Sequence, residues 1–168
     1  MLTLRDARPE DAAEVAGVNV RSWQVAYRGL LPDEYLDGLR AEDRAQRYTF
    51  DLVGPEHPAT TVALEGDAIC GFVTTGPAKG GAQRTGEVNA IYVDPKAWGR
   101  GVGRVLMANA RSRLCGLGFT EAVLWALTGN DRADRFYRAD GWLPDGQRRD
   151  EDVWGIRVSN IRYRRVLP

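Results

Sequence analysis

The stretch that decides the fold runs from residue 87 to residue 118 and reads EVNAIYVDPKAWGRGVGRVLMANARSRLCGLG. It opens with β-branched and aromatic residues, Val88 to Val93, which favour a half-buried strand. The proline at position 95 ends this strand, because it has no N–H to donate to a sheet. Apolar residues then recur at helical spacing from Val102 to Leu117, which predicts a helix that ends near Gly118. The sequence therefore predicts a strand, a turn and a helix in direct succession.

The turn holds three alternating glycines interleaved with arginines: Gly99, Arg100, Gly101, Gly103 and Arg104. A single glycine would suit a tight turn, whereas this pattern leaves several backbone N–H groups free at the positive end of a helix. Such a site binds anions, and phosphate is the anion that the arginines favour. A Walker loop is excluded because no Lys-Ser or Lys-Thr follows the glycines, and a dinucleotide fingerprint because a leucine replaces its third glycine.

Two segments resemble the signatures of the GNAT superfamily of acyl-CoA-dependent N-acetyltransferases. Residues 98–103, WGRGVG, resemble the first signature, Q/R-x-x-G-x-G/A, with Trp98 in place of Gln or Arg. Residues 130–142 resemble the second, N-x-x-A-x-x-F/Y-Y-x-x-x-G-F. The two occur in the family's order, one predicted strand apart, and the resemblance covers essentially the whole chain.

The resemblance implies a mixed α/β (α+β) fold. We expect a largely antiparallel central sheet of about six to seven strands, flanked by about four helices and splayed at a central parallel strand pair. It also implies a single N-acetyltransferase domain over residues 1–168.

The remaining elements follow from local patterns in the sequence. These predict a strand over 2–8, a helix from 9 to 26, a second helical stretch over 33–52 interrupted near Gly38, a hairpin of 60–64 with 68–75, a strand over 121–127, a short helix from 130 to Gly141, and strands over 154–158 and 160–166. Gly71 inside its strand indicates a bulge or the close approach of another backbone.

Acetyl-CoA is the co-substrate that the resemblance implies, with the coenzyme A diphosphate on the glycine loop and the pantetheine arm along the preceding strand. The residues expected to bind it are Ile91, Tyr92, Val93, Trp98, Gly99, Arg100, Gly101, Val102, Gly103, Arg104, Asn130, Ala133, Phe136 and Tyr137.

Acetyl transfer from a thioester to an amine needs a base, a donor for the oxyanion and an acid for the leaving thiolate. The resemblance places Tyr137 beside the coenzyme sulfur as the general acid, and a phenol donates a proton while neutral. Glu87 is the candidate base, since partial burial would raise the pKa of its carboxyl. The backbone N–H of Val93 is the candidate oxyanion donor. The alternatives are a core aromatic for Tyr137 and a solvated strand-end carboxylate for Glu87.

Aromatic residues from several elements, Trp23, Tyr27, Trp125 and Trp154, are candidates for an amine-binding groove, with core packing as the alternative. The acceptor would be the primary amine of a small molecule, an amino acid or a peptide. A second hypothesis is a non-catalytic acyl-CoA-binding or sensor module on the same fold.

The charge and composition of the chain limit the kinds of partner, compartment and metal that we expect. Basic and acidic residues number 23 each, so net charge gives no reason to expect nucleic acid or a membrane surface as a partner. No apolar run is long enough to span a bilayer, and the N-terminus does not resemble a signal peptide. The two cysteines and the only histidine, His57, show no metal-ligand spacing, so we expect a cytoplasmic protein without a metal. A homodimer that shares a C-terminal strand is compatible with this organisation.

Overall fold

A computed structural model describes all residues, 1–168. Its elements are β1 (Leu2–Asp6), α1 (Ala12–Ala26), α2 (Asp33–Asp37), α3 (Ala41–Ala45), β2 (Ala59–Glu65), β3 (Ala68–Pro77), β4 (Thr85–Val93), α4 (Val102–Gly116), β5 (Glu121–Leu127), α5 (Asp131–Ala139), β6 (Leu143–Val153) and β7 (Ile156–Val166), with 3₁₀ turns at Pro9–Asp11 and Pro95–Ala97.

The seven strands form one sheet in the order β1-β2-β3-β4-β5-β7-β6. Every neighbouring pair is antiparallel except β4 and β5, which are parallel. Pairing between these two begins at Thr85 opposite Glu121 and ends at Val88 opposite Leu124. Beyond that point the strands separate, which confirms the predicted mixed sheet with its splayed parallel pair.

Helix α4 packs on the sheet through Leu106, Met107 and Leu114, which are fully buried, whereas Val105 is exposed. Burying each such side chain contributes about 2 kcal/mol. Gly71 on β3 makes this contact possible, because a Cβ there would lie 3.0 Å from Leu106 Cδ1. The register between β2 and β3 also shifts beside it, with Cys70 as the extra residue. A Cβ at Gly71 would also lie 3.0 Å from the backbone carbonyl oxygen of Tyr92. The predicted bulge and the predicted close approach of another backbone are therefore both confirmed.

The predicted helical stretch over 33–52 is wrong in its extent. The structure has only α2 and α3 there, and no helix after Ala45. Gly38 caps α2, and Phe50 has a positive φ of 55°, which a right-handed helix cannot accommodate. The chain consequently has five α-helices instead of about four, and none of them is both long enough and apolar enough to span a membrane.

The C-terminal strands also differ from the prediction. Trp154 and Gly155 form the turn of a hairpin instead of opening a strand, with positive φ values of 52° and 80°. The strand before this turn, β6, was not predicted. It is an edge strand that contains Pro144, Gly146 and a run of charged residues over 148–152, so it lacks the apolar alternation of a half-buried strand.

Candidate active site

A cavity of about 530 Å³ opens where β4 and β5 separate. It runs from the N-termini of α4 and α5, through the gap between the two strands, to α1, β6 and β7. Most residues predicted from the sequence line it: Trp23, Tyr27, Glu87, Ile91, Tyr92, Val93, Trp98, Gly99, Gly101, Val102, Gly103, Arg104, Trp125, Asn130, Ala133, Phe136 and Tyr137. Two predicted residues, Arg100 and Trp154, do not.

The end of the cavity at α4 has the geometry of an anion site. Gly101 precedes the helix with a φ of 84°, a conformation that glycine adopts without strain. The first N–H to bond within the helix belongs to Val105, which donates to the Gly101 carbonyl at 3.1 Å. The three preceding N–H groups, of residues 102–104, therefore have no helical acceptor. A Cβ at Gly99 or at Gly101 would meet nothing within 4 Å, so a ligand can approach the backbone there.

Of the two arginines that the sequence predicts at this end, only Arg104 lines the cavity. Arg100 does not line the cavity, and its guanidinium pairs with Glu65 Oε2 at 3.0 Å, so a coenzyme contact through this side chain stays a prediction. Arg132 lines the cavity instead, with its guanidinium 3.7 Å from the centroid of the Trp98 ring. The Trp98 indole N–H donates to the Val93 carbonyl at 2.8 Å. Trp98 thus supports a cation here, through a contact worth about 0.5–1 kcal/mol.

Sequence reasoning missed Arg132. The signal available was its position two residues after Asn130, in the first turn of α5 and therefore near the mouth of the glycine loop. Asn130 itself caps α5, since its side-chain oxygen accepts a hydrogen bond from the Ala133 N–H at 3.2 Å.

Backbone N–H groups of β4 face the gap between the strands. Asp94 N–H donates to the Cys70 carbonyl on β3 at 2.8 Å. Because bonding direction alternates along a strand, the backbone groups of Val93 and Ile91 point to the other side, from which β5 has separated. In agreement, the Val93 carbonyl accepts bonds from the side chains of Trp98 and Ser22, not from β3. The Val93 and Ile91 N–H groups are therefore open to the cavity.

A bulge in β4 shapes the middle of the cavity. The register with β3 jumps from Thr74 opposite Ala90 to Thr75 opposite Val88, so Asn89 is the extra residue. Asn89 also lines the cavity and was not predicted, because no glycine or proline marks the bulge in the sequence.

Glu87 lies next to this bulge and is only 8% exposed. Burial raises the pKa of its carboxyl, although the charges of Arg149 and Lys79 and a hydrogen bond from Asn89 act in the opposite direction. The Asn89 amide donates to Glu87 Oε2 at 3.1 Å. The solvated strand-end alternative is therefore wrong, and the carboxyl is better suited to accept a proton than an exposed one.

The pKa shift of Glu87 predicts how a Glu87→Gln variant should unfold. Because its pKa is higher in the folded state than in the unfolded state, its contribution to stability is present in acid and is lost as pH rises through the folded-state pKa. We expect Glu87→Gln to have a larger free energy of unfolding than the wild type at about pH 7.5, and the gap to shrink towards about pH 4. Urea unfolding at several pH values measures it.

Glu121→Gln is the matched control for this experiment. The hydrogen bond from Arg164 lowers the pKa of Glu121, so this variant should be less stable than the wild type at neutral pH, with a gap that also shrinks in acid. A Glu87→Gln variant that is destabilised at neutral pH would contradict the assignment.

Tyr137 lies on α5 beside the gap and is 9% exposed. Burial raises the pKa of its phenol well above the ordinary value, and the neighbouring phenols of Tyr92 and Tyr163 act in the same direction. The phenol is therefore protonated at neutral pH. The structure shows no hydrogen bond from the Tyr137 hydroxyl to the protein, and the residue lines the cavity, so this hydroxyl is free to donate to a ligand.

The structure places three of the four aromatic residues that are expected to bind the acceptor in the cavity. Trp23 and Tyr27 meet edge to face with ring centroids 4.9 Å apart, and Trp125 lies under the Arg149 guanidinium at 4.1 Å. All three line the cavity. Trp154 does not, because its ring is covered by Arg44, 4.8 Å from the centroid. This corrects its predicted role in the groove.

The sequence also matches a known protein family. A family model described as the Acetyltransferase (GNAT) family matches residues 20–142, a range that includes the glycine loop and the whole second signature over residues 130–142. The chain belongs to the GNAT acetyltransferase family. The resemblance stated from the two signatures is thereby confirmed.

Individual GNAT proteins agree along almost the full length. An uncharacterized N-acetyltransferase of Bacillus subtilis, YuaI, is 27% identical over 163 residues, which covers 96% of this chain and 91% of that protein. The PaiA N-acetyltransferase of Thermoplasma acidophilum, solved with coenzyme A, superposes with a TM-score of 0.75 at 19% identity and covers 99% of both chains. YncA of Salmonella typhimurium, solved with acetyl-CoA, gives 0.72 at 18% identity over 100% of this chain and 95% of its own. These two structures establish the GNAT fold.

Proposed function

We propose that residues 1–168 form one N-acetyltransferase domain that transfers the acetyl group of acetyl-CoA to a primary amine of a small molecule, an amino acid or a peptide. The observation that carries this proposal is the continuity of one cavity. It joins the free N–H groups at the start of α4 to the buried Glu87 carboxyl and the buried Tyr137 phenol. The coenzyme A and acetyl-CoA bound by PaiA and YncA support the choice of co-substrate.

The geometry suggests a direct transfer in which each group has one task. The N–H groups of residues 102–104, with Arg104 and Arg132, would hold the diphosphate, and the pantetheine arm would lie along β4. Val93 N–H would donate to the thioester oxygen as it becomes an oxyanion. Glu87 would take the proton that the attacking amine loses, directly or through a water. When the tetrahedral intermediate collapses and the C–S bond breaks, Tyr137 would give its proton to the thiolate.

We also propose that the protein works in the cytoplasm on a small-molecule or peptide amine. Both cysteines, Cys70 and Cys115, are free, which fits a reducing compartment such as the cytoplasm. The balanced charge fits a small-molecule or peptide amine better than nucleic acid or a membrane. If the protein forms a homodimer, the exposed edge strand β6 is where C-terminal strands would be shared.

Amine-dependent thiol release tests the function. We expect the protein to convert acetyl-CoA to free coenzyme A thiol when a suitable primary amine is present, and to release little thiol without one. Mass spectrometry of the amine should show one added acetyl group. Calorimetric binding of acetyl-CoA without transfer to any amine of a broad panel would contradict the proposal and favour the non-catalytic acyl-CoA-binding module.

A further inference from the structure

The acceptor half of the cavity, beyond the gap between β4 and β5, has an apolar wall. It consists of residues from five parts of the chain that pack together: Trp23, Tyr27, Leu31, Leu127, Val153 and Val158. Four of these residues are aliphatic, and two of the four, Leu31 and Val158, belong to the buried core. The other two are aromatic and add one polar group each: the Tyr27 hydroxyl and the Trp23 indole N–H, which is buried without a hydrogen-bond partner. A ligand that enters this half must therefore place apolar surface against the wall.

Few charged groups face this half, and most of their charge is already balanced. Arg149 and Glu151 alternate with Val153 on one face of β6. Arg149 pairs with Glu151 and also stacks over Trp125 at 4.1 Å. Asn160 is neutral. Glu87 is left as a carboxylate that forms no ion pair, although the charge of Arg149 is near enough to lower its pKa.

This balance limits the charges that an acceptor can carry. One amine can lie next to Glu87, but a second ammonium group would enter the apolar half without a free carboxylate. A carboxylate on the acceptor would need an unpaired cation that faces this half, and Arg149 is paired with Glu151. Arg44 forms no ion pair and lies 4.3 Å from the centroid of the Trp23 ring, but it does not line the cavity. Burying a charge without a partner is strongly unfavourable.

From these observations we infer that the acceptor is a small primary monoamine with an apolar body and no second charge. The inference rests on the proposed acetyl transfer and deepens it. It disfavours polyamines, aminoglycosides and free α-amino acids.

Two pairs of amines, each matched except for one charge, test the inference by thiol release. Phenylalanine adds only a carboxylate to phenethylamine, and p-xylylenediamine replaces one methyl group of 4-methylbenzylamine by a second aminomethyl group. In both pairs we expect kcat/KM to be at least about tenfold higher for the singly charged amine. Equal or higher kcat/KM for the doubly charged member of either pair, or transfer confined to peptide N-termini, would overturn the inference.

A variant tests the part that the Arg149–Glu151 pair plays. Glu151→Gln leaves the Arg149 guanidinium without its carboxylate, so the kcat/KM of phenylalanine relative to phenethylamine should rise about fivefold or more. Glu42→Gln on α3, an exposed glutamate outside the cavity, is the matched control and should leave this ratio unchanged. An unchanged ratio in Glu151→Gln would overturn the argument from paired charges.

Titration of the same amines into the complex of the protein with coenzyme A measures their binding affinities in the absence of acetyl transfer. Calorimetry should show tighter binding of phenethylamine than of phenylalanine. If this preference is found while no amine is acetylated, the inferred preference of the cavity for singly charged apolar amines stands and the proposed function fails. If acetylation is found but the charged amines bind as tightly, the proposed function stands and the acceptor inference fails.

Discussion

Replacing Tyr137 by phenylalanine is expected to lower kcat about 100-fold, the size of effect that a positioned general acid provides, while the Kd of acetyl-CoA stays the same. The substitution removes one hydroxyl from a buried ring and leaves the packing of that ring in place. Burial keeps the phenol protonated until the thiolate forms, although the same raised pKa makes it a weaker acid than an exposed tyrosine. Steady-state thiol release gives kcat, and calorimetry gives Kd.

Tyr163→Phe is the matched control for this experiment. The Tyr163 ring lies 5.2 Å from that of Tyr137, but its hydroxyl donates to Asp134 Oδ1 at 2.6 Å and it does not line the cavity. We expect this variant to be less stable than the wild type, because it loses this hydrogen bond, and to keep its kcat. A normal kcat in Tyr137→Phe would remove Tyr137 from the mechanism.

Replacing Gly101 by valine is expected to weaken coenzyme A binding by at least about tenfold. A β-branched residue at a φ of 84° is strained by about 1–3 kcal/mol. The loop can relieve this strain only by turning its backbone, which moves the N–H groups of residues 102–104 away from their common target. Calorimetric titration with coenzyme A measures the change in Kd.

Gly80→Val separates loss of the site from backbone strain alone. Gly80 also has a positive φ, 66°, with nothing within 4 Å of an added Cβ, but it lies in a loop outside the cavity. We expect a similar loss of stability in urea and an unchanged Kd for coenzyme A. Equal coenzyme affinity in the two variants would mean that the loop geometry at Gly101 does not hold the ligand.

Local patterns were sufficient to predict the centre of the fold. The strand, glycine turn and helix of residues 85–116 depend on interactions between near neighbours in the chain, such as the cap at Gly101 and the apolar face of α4. The two signatures then implied the parallel pair and its separation, which no local pattern indicates. By contrast, β6 was missed because an edge strand does not need apolar alternation.

The differences from the expected site come from contacts between distant parts of the chain. Arg100 sits in the glycine loop, yet its side chain pairs with Glu65 at the end of β2 and does not line the cavity. Trp154 is covered by Arg44, which α3 brings across from more than 100 positions earlier. The burial of Glu87 and the bulge at Asn89 likewise depend on how β4 meets β3 and β5. None of these contacts can be predicted from the spacing of residues along the chain.

The proposed function depends most on one contact, between the backbone N–H groups at the start of α4 and the diphosphate of coenzyme A. Calorimetric titration with 4′-phosphopantetheine and with pantetheine tests it directly, because the two ligands differ only by the phosphate at this site. Charge-assisted hydrogen bonds from several N–H groups should make the phosphorylated ligand bind at least about tenfold more tightly, and Gly101→Val should abolish most of that difference. Equal affinities for the two ligands in the wild-type protein would contradict the account.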